Sequence, residues 1–171
     1  MTTSLRLTLV GALALFTASC TTQHPTTTTA GRSQPHRVGK VRTTAYTHTE
    51  PGGSRNAIGT KLKGKNVMSA ASDWSRWPLG TKFRIVSTDE VFKIDDYGSA
   101  LIGTATIDLY KTNRLAMTKW GVRSVDIDVI EWGSKAESLK VLAPRKRNRG
   151  VRQMILALSN QPDNVEILRR F

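Results

Sequence analysis

Residues 94–110, IDDYGSALIGTATIDLY, bring three carboxyl groups near one turn. Asp95 and Asp96 precede Gly98, and Asp108 lies in the apolar run beyond Gly103. A carboxyl group that keeps its proton can act as a general acid and, once ionised, as a base. An ordinary aspartic acid has a pKa of ~3.9 and is ionised near neutrality. Such work therefore needs burial or a like charge to raise it. Asp96 stands at a strand end before a tight turn, where a side chain can face a groove. Strand alternation is expected to point Asp95 the other way. A plainer reading stands beside this one. Asp before Gly is a common turn residue, and Asp108 between Ile107 and Leu109 fits simple alternation in a strand.

The elements that would position these groups are short. VRTTAY (41–46) is β-branched and aromatic. TKFRIVS (81–87) puts Phe83 and Ile85 on one face. EVFKID (90–95) alternates, TATIDLY (104–110) is a further candidate, and VRSVDIDVIEW (122–132) sets Val125, Ile127 and Val129 against Asp126 and Asp128. TNRLAMTKWG (112–121) predicts a helix with Leu115, Met117 and Trp120 on its apolar side and Gly121 as its cap. Short strands at this spacing with one short helix predict a small β-barrel over residues 39–132.

The flanks differ. MTTSLRLTLVGALALFTASC has one Arg before an apolar run, Leu7–Phe16, and small residues before Cys20. That is the pattern of a secretory signal over residues 1–19. The run is shorter than the ~20 residues that span a bilayer. Cys20 is the only cysteine, so no disulfide framework exists. Its placement resembles a bacterial lipobox, which implies lipidation of Cys20 and a membrane lipoprotein facing the periplasm. Residues 20–38 are Thr-rich with two prolines and predict a flexible tether that includes His24 and His36. Neither histidine has a third ligand at sensible spacing. Residues 133–171 form a basic, partly helical extension with nine Lys/Arg against three Asp/Glu. Val151, Met154, Ile155 and Leu158 recur there at helical spacing, and Asp163 and Glu166 resemble a capping box before a last helix.

The chain has 171 residues, room for one compact domain plus tails, and a formal charge of +13. Such a charge draws polyanions. Export turns the expectation from nucleic acid to the polyanions of the cell envelope, with residues 143–152 as the contact for anionic lipid or wall polymer. No zinc set, phosphate-binding loop or nucleophile elbow is present, and no cofactor or metal is expected.

Three pieces, in order, resemble the 3D domain family, named for three aspartates. They are Thr44-Ala45-Tyr46-Thr47; Asp73 followed by Pro78-Leu79-Gly80-Thr81; and Asp96, Gly98, Ala100 and Gly103 followed by Ile107-Asp108-Leu109-Tyr110. The resemblance covers roughly Val41 to Trp132. It departs where the family has a second adjacent glycine (here Ser99), where it has a lysine (here Ile102), and in one extra residue before Asp108. It implies a mainly β fold, a six-stranded double-psi β-barrel, related to the last domain of membrane-bound lytic transglycosylase A and to rare lipoprotein A-like proteins.

The activity implied is cleavage of the β-1,4 bond of peptidoglycan glycan strands by lytic transglycosylation. Asp96 would be the acid/base, with Asp108 and Asp73 in the same site supplying like charge. Gly98 and Ser99 fall at the family's substrate turn, and Tyr46 and Trp77 could stack on sugar rings. Trp74 and Trp120 fit core or wall packing better, and His48 fits a solvated loop. A non-catalytic barrel that binds or loosens the wall is the other reading left open by these departures.

Overall fold

A computed structural model describes residues 36–161. The signal segment, Cys20, most of the Thr-rich segment and the capping box at Asp163 lie outside the described residues. Six strands close a barrel: β1 (His36–Tyr46), β2 (Val67–Ser72), β3 (Lys82–Ile85), β4 (Val91–Asp96), β5 (Ile107–Tyr110) and β6 (Arg123–Glu131). They run in the order β1-β5-β2-β4-β3-β6. β1/β5 and β2/β4 pair in parallel and the other four pairs are antiparallel. This mixed closed barrel is compatible with a double-psi barrel.

Alternation fills the barrel. Phe83, Ile85, Phe92, Ile94, Ile107, Leu109 and Ile127 all point inward and are fully buried. Phe83 and Phe92 stack at 5.7 Å. The first strand begins at His36, so the tether cannot extend to residue 38 as the composition suggested. Residues 36–38 pair with Ile127–Val129 of β6, and Val38 is buried. A bulge between Val38 and Val41 carries the strand onward, with the Lys40 N–H donating to Asp126 Oδ1 at 2.9 Å. The sequence pattern contains no clear signal for β2. Its last four residues, SAAS, are small, and the segment lacks the alternation that marks the other strands.

Three helices follow the predicted regions in part. α1 (Arg114–Trp120) is capped by Asn113, and the Gly121 N–H bonds Met117 O. Its inward residue is Trp120, whereas Leu115 is 80% exposed; one short helix against a barrel buries only one edge. α2 (Lys135–Leu142) starts at a Ser134 cap, and α3 (Arg149–Ser159) starts at an Asn148 cap. Leu142, Val151, Met154 and Leu158 join the same core as the barrel residues. The extension is thus packed structure and not a solvated tail over its described part.

Candidate functional site

Strand register builds the site. Ala71 of β2 pairs with Asp96 of β4 on one side and with Asp108 of β5 on the other. Asp108 in turn pairs with Thr44 of β1. Residues in register on neighbouring strands face the same side, so Thr44, Asp108, Ala71 and Asp96 form one row across four strands. The row faces outward, because Leu109, Ala70 and Ile94, one step away, fill the interior. Tyr46, two residues beyond Thr44, continues the row's face along β1.

A bulge between Ala70 and Ala71 decides which aspartate joins this row. Ile94 pairs with Ala70 and Asp96 with Ala71, leaving Asp95 as the extra residue. Asp95 is separated from Asp96, as expected, but by a bulge rather than by plain alternation; a bulge re-aims side chains in this way. Asp95 instead lies on the side of Ser69, whose Oγ donates to it at 2.7 Å, and under Asn56, whose Nδ2 donates at 2.9 Å. It is buried there and does not line the cleft.

The cleft has a volume of about 560 Å³. Its floor holds Tyr46, Ala71, Asp96 and Asp108; the loop from Thr47 to Gly59 and the turn from Tyr97 to Leu101 form its walls. Burial raises the Asp96 pKa to about 6; the Tyr97 N–H, bonded to Oδ1 at 2.9 Å, opposes this and the Asp95 charge adds to it. Burial also pushes Asp108 up, opposed by the Thr44 hydroxyl, which donates to Oδ1 at 2.6 Å, and reinforced by Glu50. Two strand spacings, roughly 10 Å between Cα positions, separate the two aspartates. The like charge beside Asp96 is therefore Asp95, not Asp108. The Tyr46 hydroxyl is buried beside Asp96, where its hydrogen bonding favours the charged carboxylate, and burial and the charges of Asp96, Asp95 and Asp108 hold its own proton on.

Two expected site residues are elsewhere. Asp73 is 2% exposed. Its Oδ1 accepts from the Ser75 N–H and hydroxyl at 2.8 and 2.7 Å, and its Oδ2 accepts from the Gly103 N–H at 2.7 Å. Gly103 has φ 82°, a conformation that glycine adopts without strain. Asp73 is thus a brace that ties the segment after β2 to the turn before β5. Trp77 is 1% exposed and stacks flat on Trp132 at 5.8 Å, so it offers no face to a sugar. Trp74 is also buried, and its Nε1 donates to Asp96 O at 2.8 Å, fixing the backbone of the cleft aspartate. Trp120 is core as expected. His48 is an exposed loop residue whose Nδ1 lies 3.0 Å from Tyr110 Oη. Gly98 and Ser99 line the cleft.

Thr44, Ala71, Glu50 and Arg145 take places that sequence reasoning did not assign. The first three have ordinary types at ordinary spacing, and only strand register brings them together. Arg145 had a signal, the basic run 143–150, but its arrival at the cleft depends on how α2 and α3 dock. Among the described residues, no group of three His, Cys, Asp or Glu is placed to hold a metal ion. No family model matches the chain, and no curated protein matches it.

Proposed function

We propose that this protein is an exported 3D-type barrel that cleaves the β-1,4 bond of peptidoglycan as a lytic transglycosylase. The observation that carries this reading is the row Thr44–Asp108–Ala71–Asp96 in an open cleft, with one carboxyl raised to about 6. Protonated Asp96 gives its proton to the glycosidic oxygen. The muramyl 6-hydroxyl attacks its own anomeric carbon as the C–O bond breaks. The Asp96 carboxylate then takes the proton of that hydroxyl. The products are a 1,6-anhydro-muramyl end and a free 4-hydroxyl, and Asp96 ends protonated as it began. Asp108, pushed up by burial and only partly brought back by the Thr44 hydroxyl, is the second carboxyl of the cleft and, once ionised, would face the oxocarbenium character of the transition state. Ala71 between them has no side chain beyond Cβ, which leaves the floor open for a glycan. The signal segment and Cys20 would place the enzyme on a membrane of the cell envelope.

A second reading has a specific support. Asp73 is spent on a structural brace, so the cleft has fewer carboxylates than the resemblance implies. That favours a barrel that holds glycan without cutting it.

A digest of purified peptidoglycan, read by mass spectrometry beside Asp96→Asn, separates the two. Anhydro-muramyl ends from the parent, reduced by about 10²–10⁴ in the variant, are the expected result. Reducing ends would mean hydrolysis. No new ends, with equal wall binding by both proteins, would leave the binding barrel.

A further inference from the structure

Two arginines line the cleft: Arg55 on the loop after β1, whose Nη1 donates to Gly59 O at 2.7 Å, and Arg145 from the C-terminal extension. Arg145 lines it together with Asp96, Tyr97 and Ser99. Its position is fixed from both sides: Leu142 before it and Val151 after it are buried at 0% and 2%. α3 also begins hard against the turn that follows Asp96. A Cβ on Gly150 would come within 2.5 Å of Ile102 Cδ1, so a larger residue there would push the Ile102 side chain aside. The guanidinium is then held at the rim. Nη2 donates to Ala57 O at 2.6 Å, Nη1 reaches Tyr97 Oη at 3.5 Å, and the charge sits 5.9 Å from the centre of the Tyr97 ring.

Both hydrogen-bond partners are neutral, and no ion pair forms at Arg145 among the described residues. An arginine carries five N–H donors in a planar fork. Two are engaged, and the rest are free for an anion. Asp96, Asp108 and Glu50 line the same cleft, yet none of them pairs with Arg145, which leaves its charge available to an anion on a ligand. Planar, charge-assisted pairing suits a carboxylate.

We propose that Arg145 is a specificity-determining residue that receives a carboxylate borne by the muramyl unit at the cleft. The C-terminal extension is thereby part of the substrate site, and the cleft prefers muramyl glycan to glycans without carboxyl groups. This inference rests on the glycan reading above. The carboxylate has two chemical sources, the free lactyl group of denuded glycan and the acidic groups of a stem peptide.

The test is binding calorimetry on the full chain in mild detergent, in an Asp96→Asn background that stops turnover. The probes are glycan oligomers bearing stem peptides, the same oligomers denuded, and N-acetylglucosamine oligomers of equal length. The carboxylated probes should bind about tenfold tighter than the neutral one, the scale of one charge-assisted contact. Arg145→Gln should erase that difference, while Arg145→Lys should retain part of it. A gain kept by denuded glycan assigns the lactyl group, and a gain confined to the other probe assigns the peptide. Equal binding of all three probes by the parent, or full discrimination kept by Arg145→Gln, overturns the role of Arg145 alone. Failure of every probe to bind overturns the glycan reading and this inference with it.

Discussion

Asp96 is costly where it stands. Its carboxyl, 3.8 in its ordinary state, is raised to about 6 in the folded protein, chiefly by burial. The folded state therefore binds this proton more tightly than the unfolded one. Below pH ~4 both states are protonated and the residue does no harm. As pH rises through 6 the folded state must ionise a buried acid, and stability falls. A shift of this size corresponds to roughly 3 kcal/mol at neutral pH. Asp96→Asn keeps an oxygen for the Tyr97 N–H and removes the charge, so it is expected to be more stable than the parent at pH 7.5 and equal to it at pH 4. Urea unfolding at the two pH values checks this; equal stability at both would mean that Asp96 is solvated. Glycan cleavage that needs protonated Asp96 should weaken over the same rise in pH. At this scale the sequence was informative about type and less so about company. Asp96 before Gly98 and Asp108 within an apolar strand could be picked from the chain, because turns and alternation are local. Thr44, Ala71 and Glu50 could not, because their relation to the aspartates exists only across strands.

Whole elements decide which aspartate does what. The β4 bulge sets Asp96 beside Ala71 and leaves Asp95 to Ser69 and Asn56. Asp95 stays out of the cleft that Asp96 lines, as alternation leads one to expect, but it does so as the extra residue of a bulge, which a strict period of two cannot anticipate. The barrel itself was legible from alternation in β3, β4 and β6. β2 was not, since its small residues carry little strand preference and gain their place from neighbours on both sides. Asp73 shows how an element can claim a residue that type alone assigns to chemistry. It ties the turn after β2 to Gly103 through three accepted hydrogen bonds. Asp73→Ala leaves the Gly103 and Ser75 N–H groups unpaired and is expected to cost about 3 kcal/mol. Activity should fall with it as the turn from Tyr97 to Leu101 loosens. The check is a comparison of unfolding midpoint and glycan cleavage, both set beside Asp96→Asn. A stable but inactive Asp73→Ala would return Asp73 to the reaction and contradict the brace.

At the scale of the whole molecule, charge and fold are joined through the extension. Helical spacing from Val151 to Leu158 indicated α3, but not that it seals the barrel or that the basic run before it reaches the cleft. Docking is a tertiary fact: Leu142, Met154 and Leu158 are apolar in any setting, and only the assembled core shows what they cover. Where the resemblance implies a lysine, Ile102 now receives α3, and the nearby cation comes from Arg145 instead. The remaining cations of the run, Lys146, Arg147, Arg149 and Arg152, are exposed. They add to a net charge of +13 and face solvent, where attraction to a polyanion is long-ranged and weakened by salt. Arg145 is exposed as well, but its guanidinium is held at the rim by Ala57 O and Tyr97, so what it adds is a short-range contact in the cleft. The two contributions should separate with ionic strength. Binding of the protein to intact wall sacculi is expected to weaken steeply from about 0.05 to 0.5 M NaCl, as the Debye length contracts through ~10 Å. Replacing Lys146, Arg147 and Arg149 by Ser should flatten that dependence and leave cleavage of short soluble glycan oligomers unchanged, because such oligomers occupy only the cleft. Sedimentation with sacculi over a salt series, beside turnover of the oligomers, measures both. A salt dependence untouched by the triple substitution would place the wall contact on another face, and loss of oligomer turnover would mean that the run shapes the cleft beyond Arg145.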